Sequence, residues 1–149
     1  MSELDRADLR REIQFSFSGR VYPGDDHITR ETSDESSEHH RVAQFFRGKS
    51  WHDVDYASLL AGDIDPSGFL YVLSPEAFAY FMPAFLREAL DVNSAPELAE
   101  TIHFALSAPS EVEMQSSVGK WKQDHMAPFD EQELTIIHKV YRYLDARLD

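Results

Sequence analysis

The chain has 149 residues, 42% of them hydrophobic, with a formal net charge of −13 and a pI near 4.8, so it is the size of one domain and can bury a core. That charge sets duplex nucleic acid and anionic bilayers aside as partners, because both are bound through surplus cations. Cysteine is absent, which removes disulfides, thiolate metal sites and cysteine nucleophiles.

The start, Met1 to Arg6, shows no apolar stretch behind a basic leader, and no run reaches the roughly 18 apolar residues of a membrane span. A cytoplasmic protein that does not enter membranes is expected. Leu4, Leu9, Ile13 and Phe17 then recur at helical spacing, predicting an amphipathic helix over 3–17 that Gly19 ends. Tyr22-Pro23-Gly24-Asp25-Asp26 is turn chemistry, since proline fixes one dihedral angle and glycine accepts a positive one. Ser33 to Ser36 supply capping oxygens ahead of Val42, Phe45 and Phe46, predicting a second helix over 34–47 that stops at Gly48.

Past Trp51, Asp53 is expected to cap a short helix carrying Val54, Tyr56, Leu59 and Leu60 and closed by Gly62. A loop at 63–68 leads to Phe69-Leu70-Tyr71-Val72-Leu73. This apolar run reads equally as a buried strand or as an extended segment through the core. Ser74-Pro75-Glu76 is a helix start, with serine as N-cap and proline in the first turn. The residues that follow, Phe78 to Leu90, hold four aromatics and almost no charge, so they form the expected central buried helix, kinked or restarted at Pro83. A helix begins at Pro96 and ends by Pro109. The stretch 110–128 stays ambiguous, with Trp121 between Lys120 and Lys122 and a turn at 126–128. Asp130 and Glu133 form a capping box for a last helix through Leu134, Ile137, Val140, Tyr141, Leu144 and Leu148. The fold class expected is a mostly α, single compact helical domain, with the nature of 69–73 left open.

Charge is unevenly placed. From Trp51 to Gln115 there are eleven carboxylates and one base, Arg87, whereas the first fifty residues hold eight bases against ten acids. Such a region can steer a cationic protein toward it, although by composition alone acidity also serves simply to keep a protein dissolved. The acids Asp53, Asp55, Asp63 and Asp65 surround one short helix and its exit loop. They are the expected partner-binding face, with Trp51 and Tyr56 as aromatic anchors; Tyr71 and Tyr80 are the other aromatics of this acidic region.

Motifs that carry reactions are missing. The series Asp63-x-Asp65-x-Ser67-Gly68 follows the opening of a calcium loop, yet its twelfth position is Ser74 instead of a bidentate glutamate, so an Asx-turn is the better reading. His39 and His40 are adjacent on a predicted helix and point apart, which prevents them from sharing a metal. His52, His103, His125 and His138 stand singly and are read as surface or hydrogen-bonded structural residues. Neither a nucleophile elbow nor a glycine-rich phosphate loop occurs. No catalytic residue, metal ligand or cofactor is therefore expected.

Three segments carry a resemblance: Tyr22-Pro23-Gly24-Asp25-Asp26, then Phe46-Arg47-Gly48-Lys49-x-Trp51, then Phe69-Leu70 with Glu76-Ala77-Phe78-x-Tyr80-Phe81-x-Pro83-Ala84-Phe85-Leu86. Over about residues 15 to 90 the chain resembles an uncharacterised family of small acidic bacterial proteins. In size and acidity such proteins resemble the immunity proteins that neutralise antibacterial toxins. The resemblance implies a bacterial, largely helical intracellular domain. The function expected is an acidic module that binds a basic protein, with a cognate toxin as the partner. The alternative is a small-ligand protein, divalent-metal protein or enzyme that uses a pocket beside the Phe78–Leu90 helix.

Overall fold

The computed structural model describes residues 3–30 and 37–148. Among them it contains eight α-helices: α1 Glu3–Ser16, α2 Ser37–Phe46, α3 Tyr56–Ala61, α4 Pro75–Ala89, α5 Pro96–Leu106, α6 Glu111–Met114, α7 Ser117–Met126 and α8 Glu131–Asp145. Short 3-10 turns form at Asp25–His27, Trp51–Asp53 and Phe69–Tyr71. No strand is present among the described residues, and the one β-bridge is an isolated antiparallel pairing of Thr29 with Leu73. The expected mostly α, single compact helical domain is what the structure shows.

Helix α4 begins as its sequence dictates. The Ser74 hydroxyl accepts the Ala77 amide, Pro75 occupies the first turn, and Glu76 faces the positive end of the helix dipole. Every residue from Ala77 to Leu86 is buried, so the helix is apolar all round and must be enclosed on all sides. It packs against α1, α5, α7, α8 and the Trp51–Asp53 turn. Pro83 neither ends nor restarts it: α4 runs unbroken from Pro75 to Ala89. Proline removes one amide donor and no side-chain contact, and packing on every face outweighs that loss.

Aromatic rings flank α4 on two sides. Phe46 packs on Phe81 at 4.6 Å and on Phe85 at 6.1 Å, and Phe69 meets Phe85 at 5.0 Å. Elsewhere along α4, Phe78 contacts Trp121, His125 and Phe129 at 5.2–6.2 Å. Each fully buried ring of this kind contributes on the order of 1.5–3 kcal/mol.

Several expected boundaries move. The 69–73 run is a 3-10 turn followed by a bridge residue, because Gly68 and Asp65 carbonyls capture the amides of Tyr71 and Phe69 before a ladder can form. Asp55, not Asp53, caps α3: its carboxylate accepts the Ser58 amide while the Ser58 hydroxyl accepts the Asp55 amide. Asp53 lies one element earlier, in the Trp51–Asp53 turn. The start expected for α2 at 34–36 lies outside the described residues. The ambiguous 110–128 stretch resolves into α6 and α7.

Those last two helices meet at one glycine. A methyl group at Gly119 would collide with the Glu113 carbonyl oxygen and stand 2.8 Å from the Met114 Cα, both backbone atoms that cannot swing aside. Gly19, by contrast, has no atom within 4 Å of that position. Gly119→Ala is therefore expected to destabilise the fold by roughly 1–3 kcal/mol through overpacking, overriding the gain of about 1 kcal/mol that alanine brings to a helix. Gly19→Ala should stay within about 0.5 kcal/mol of the parent. Urea unfolding of the two variants checks the contrast.

Candidate functional site

The expected contact face separates on inspection into spent and unspent groups. Trp51 is 2% exposed and its amide donates to the Tyr80 hydroxyl at 3.4 Å, so it packs in the core and offers no anchor to a partner. Tyr80 is buried as well, while Tyr56 and Tyr71 are half-buried. Asp55 is committed to its cap. Asp65 accepts both the Ser67 amide at 3.0 Å and the Ser67 hydroxyl at 2.7 Å, and these hydrogen bonds hold its carboxyl below the usual range. That is an Asx-turn, and it uses the carboxylate a cation would need. Asp63 has a positive φ of 59° and a side chain 90% exposed, 3.9 Å from the Arg41 guanidinium. Asp55 and Asp63 stand beyond opposite ends of the six-residue α3, itself about 9 Å long. Among the described residues no three metal-binding side chains gather in one place.

The segments that carried the family resemblance do meet. The Tyr22 hydroxyl accepts the Gly48 amide at 2.7 Å and donates to Asp25 at 2.6 Å. Its ring packs edge-on against Tyr80 at 5.8 Å, and Tyr80 in turn holds Trp51. Burial and the neighbouring Asp25 raise the Tyr22 pKa, so the hydroxyl keeps its proton to donate. Positive φ at Gly24 and Gly48, 104° and 74°, lets the two turns make this approach. Tyr22, Asp25, Gly48, Trp51 and Tyr80 thus build a joint of the fold.

A cavity of about 450 Å³ opens between the 26–30 segment, the start of α4 and one side of α7. Its charged rim is Asp26, Arg30, Glu76, Lys120 and Asp124, with Trp121 and His125 in the wall. Lys120 is paired with Asp124 at 3.2 Å. The cavity reaches only the first turn of α4; of the Phe78–Leu90 helix expected to wall a pocket, every residue but the half-buried Arg87 and Glu88 is buried.

Sequence reasoning took His125 as one of several solitary histidines, and the structure makes it a clip. It is 2% exposed. Its Nδ1 lies 2.9 Å from the Trp121 carbonyl and its Nε2 lies 2.9 Å from the Leu73 carbonyl, while its ring stacks on Trp121 at 4.3 Å. The clip ties α7 to the bridge residue Leu73. A neutral imidazole has one N–H for these two acceptors. Burial nevertheless pushes the pKa down, with help from Arg30 and against the pull of the two carbonyls and Asp124. No local pattern signals this role, because Leu73 is 52 residues away in sequence.

Beside it, Lys122 is buried. Its ammonium donates to the Ser107 carbonyl and hydroxyl at 3.1 and 2.9 Å, lies 3.6 Å from Glu113, and sits 4.3 Å from the Phe104 ring centroid. One cation therefore joins α5, α6 and α7. The lysine pair flanking Trp121 is split between a surface residue and this internal tie.

No family model matches the chain, and no curated protein or solved structure is significantly similar to it.

Because the folded state holds His125 below its ordinary value near 6.5, the native protein takes up this proton less readily than the unfolded chain. The stability that neutral His125 supports is thus complete above about pH 6.5 and declines as the pH falls below it. His125→Gln, which keeps one donor for Leu73, should be less stable than the parent at about pH 7 and lose less on going to about pH 5. Urea unfolding of both proteins at the two pH values reads the difference in slope.

Proposed function

We propose that the chain is an acidic protein-binding module that captures a basic protein, and that it serves in the bacterial cytoplasm as an immunity protein masking a cognate toxin. The observation that carries this reading is a surplus of unspent carboxylates. Asp53, Glu76, Glu97, Glu100 and Glu111 are exposed and form no ion pair among the described residues. Other acids of the same region are used internally: Glu88 binds Arg87 and the Tyr56 amide, Asp91 binds Arg6, and Glu113 meets Lys122. Like charges kept on a folded surface repel one another, and a cationic partner relieves that repulsion on docking. The immunity role is supported by the size and acidity of the chain and by the resemblance through residues 22–26, 46–51 and 76–86.

Steering belongs to the acids with free carboxylates. Of the four expected from sequence, Asp53 qualifies and Asp63, 90% exposed, has only a long 3.9 Å contact with Arg41, whereas Asp55 and Asp65 hold backbone and would weaken the fold if reversed, by about 1 kcal/mol for a lost cap. A small-ligand reading keeps one observation in its favour, the cavity beside Trp121, whose Nε1 is buried without a hydrogen-bond partner.

The test uses the protein encoded by the neighbouring reading frame as partner, with association followed by surface plasmon resonance. The association rate should fall at least about tenfold from low salt to about 0.5 M salt. Asp53→Lys combined with Asp63→Lys should lower the rate and flatten its salt dependence with the melting temperature unchanged. A salt-independent rate for the parent overturns the steering role. Cells that express this chain and still succumb to the partner overturn the immunity role.

A further inference from the structure

Resting on the protein-binding reading above, we propose that the docking surface is the exposed edge formed by α5 and α6, and that its occupant is a basic amphipathic segment of the partner, cationic on its flanks and apolar on one face. Six large hydrophobic residues are exposed among the described residues. Three of them, Phe15, Val21 and Leu60, stand on separate elements. The other three fall within one stretch: Phe104 at 41% exposure, Val112 at 80% and Met114 at 56%.

Geometry joins those three. The Phe104 ring lies 4.3 Å from the Lys122 ammonium, and the same ammonium lies 3.6 Å from Glu113, the residue between Val112 and Met114. The end of α5 and Glu113 of α6 therefore meet at a single buried cation. Three unspent acids border the apolar residues. Glu97, Glu100 and Phe104 are spaced by three and four, which places them along one face of α5, and Glu111 opens α6. Glu113 is not among them, because it caps the Ser110 amide and pairs with Lys122.

Exposed apolar residues mark an interaction site when charged residues rim them; Val112 and Met114, two apart on α6, stand on either side of Glu113, and the sign of the rim selects the partner. The apolar centre supplies residence and the acidic rim supplies approach and orientation. The surface also rests on a firm base. Helix α6 is pinned to α7 by the close approach at Gly119 and by Lys122, so the backbone that carries Val112 and Met114 is fixed.

The probe is a synthetic amphipathic helical peptide of roughly 18 residues built from leucine and lysine on opposite faces, beside a lysine-only peptide of equal charge. Binding to the full chain is followed by 15N-resolved NMR titration in low salt. The leucine–lysine peptide should shift amides of α5 and α6 and bind at least about tenfold tighter than the lysine-only peptide, since burying a single apolar side chain is worth on the order of 1.5–3 kcal/mol. Val112→Ser with Met114→Ser should remove most of that advantage, as should Phe104→Ser, with melting temperature confirming that each variant is folded. Asp53→Lys with Asp63→Lys should change the affinity less than about threefold.

Equal affinity for the two peptides, or shifts centred on residues 51–65, overturns this surface and leaves the acidic module intact. Failure of both peptides to bind at low salt removes the module reading as well.

Discussion

Helix α4 sets the terms for the rest of the molecule. A fifteen-residue helix with almost no polar face cannot lie on a surface, so α1, α5, α7, α8 and the Trp51–Asp53 turn divide its circumference among them. Each of these partners contributes buried apolar residues to the shared core. Polar groups are thereby displaced to the outer shell, where they either tie one element to the next or meet solvent.

The ties use charge economically. Arg20 forks onto Glu133 with bonds of 2.7 and 2.5 Å and also reaches the Pro128 carbonyl. This fixes the loop after α1 to the start of α8, across 113 residues of sequence. Glu133 is 4% exposed, and it also completes the cap of α8 by accepting the Asp130 amide. Removing one partner of such a part-buried pair leaves a charge without compensation, which costs far more than the loss of a surface ion pair. Arg87, the lone arginine of the acidic midsection, binds Glu88 and the Val54 carbonyl and so closes the Trp51–Asp53 turn over α4. The one base of this region serves an internal joint, and the acids left over face outward.

What the sequence made legible follows from the range of the interactions involved. Helix starts were readable because caps act within a few residues: Ser74 with Pro75, and Asp130 with Glu133, appear where the pattern places them. The burial of Phe78 to Leu90 was readable from the near absence of charge. By contrast, Asp53 and Asp55 are equally good caps on paper, and the choice depends on how the Trp51 turn seats against α4. The apolar 69–73 run could not be resolved by periodicity, since a 3-10 turn packed in a core has the same composition as a buried strand. Trp51 was read as an anchor because an aromatic beside acids resembles an interface, and only tertiary packing distinguishes that from a core residue. His125 was read as a surface or hydrogen-bonded structural residue and is the latter, but its long-range partner and that of Gly119 were invisible for the same reason, as they come from Leu73 and from the backbone of α6.

The division between spent and unspent acids also explains why neither charge counting nor hydropathy locates an interface in this chain. Summed over Trp51 to Gln115, the acids look like one field, yet Asp55, Asp65, Glu88, Asp91 and Glu113 are each held by a cap, a turn or a base. Their charge still contributes to the long-range potential, but the oxygens so engaged cannot turn toward a partner without breaking a native contact. A partner's cations would therefore be guided by all of them and bound by only a few. Where free carboxylates coincide with exposed apolar side chains, both contributions can act on the same segment. On α5 and α6 that coincidence rests on one buried lysine and one glycine, so the surface is fixed by the same packing that completes the core.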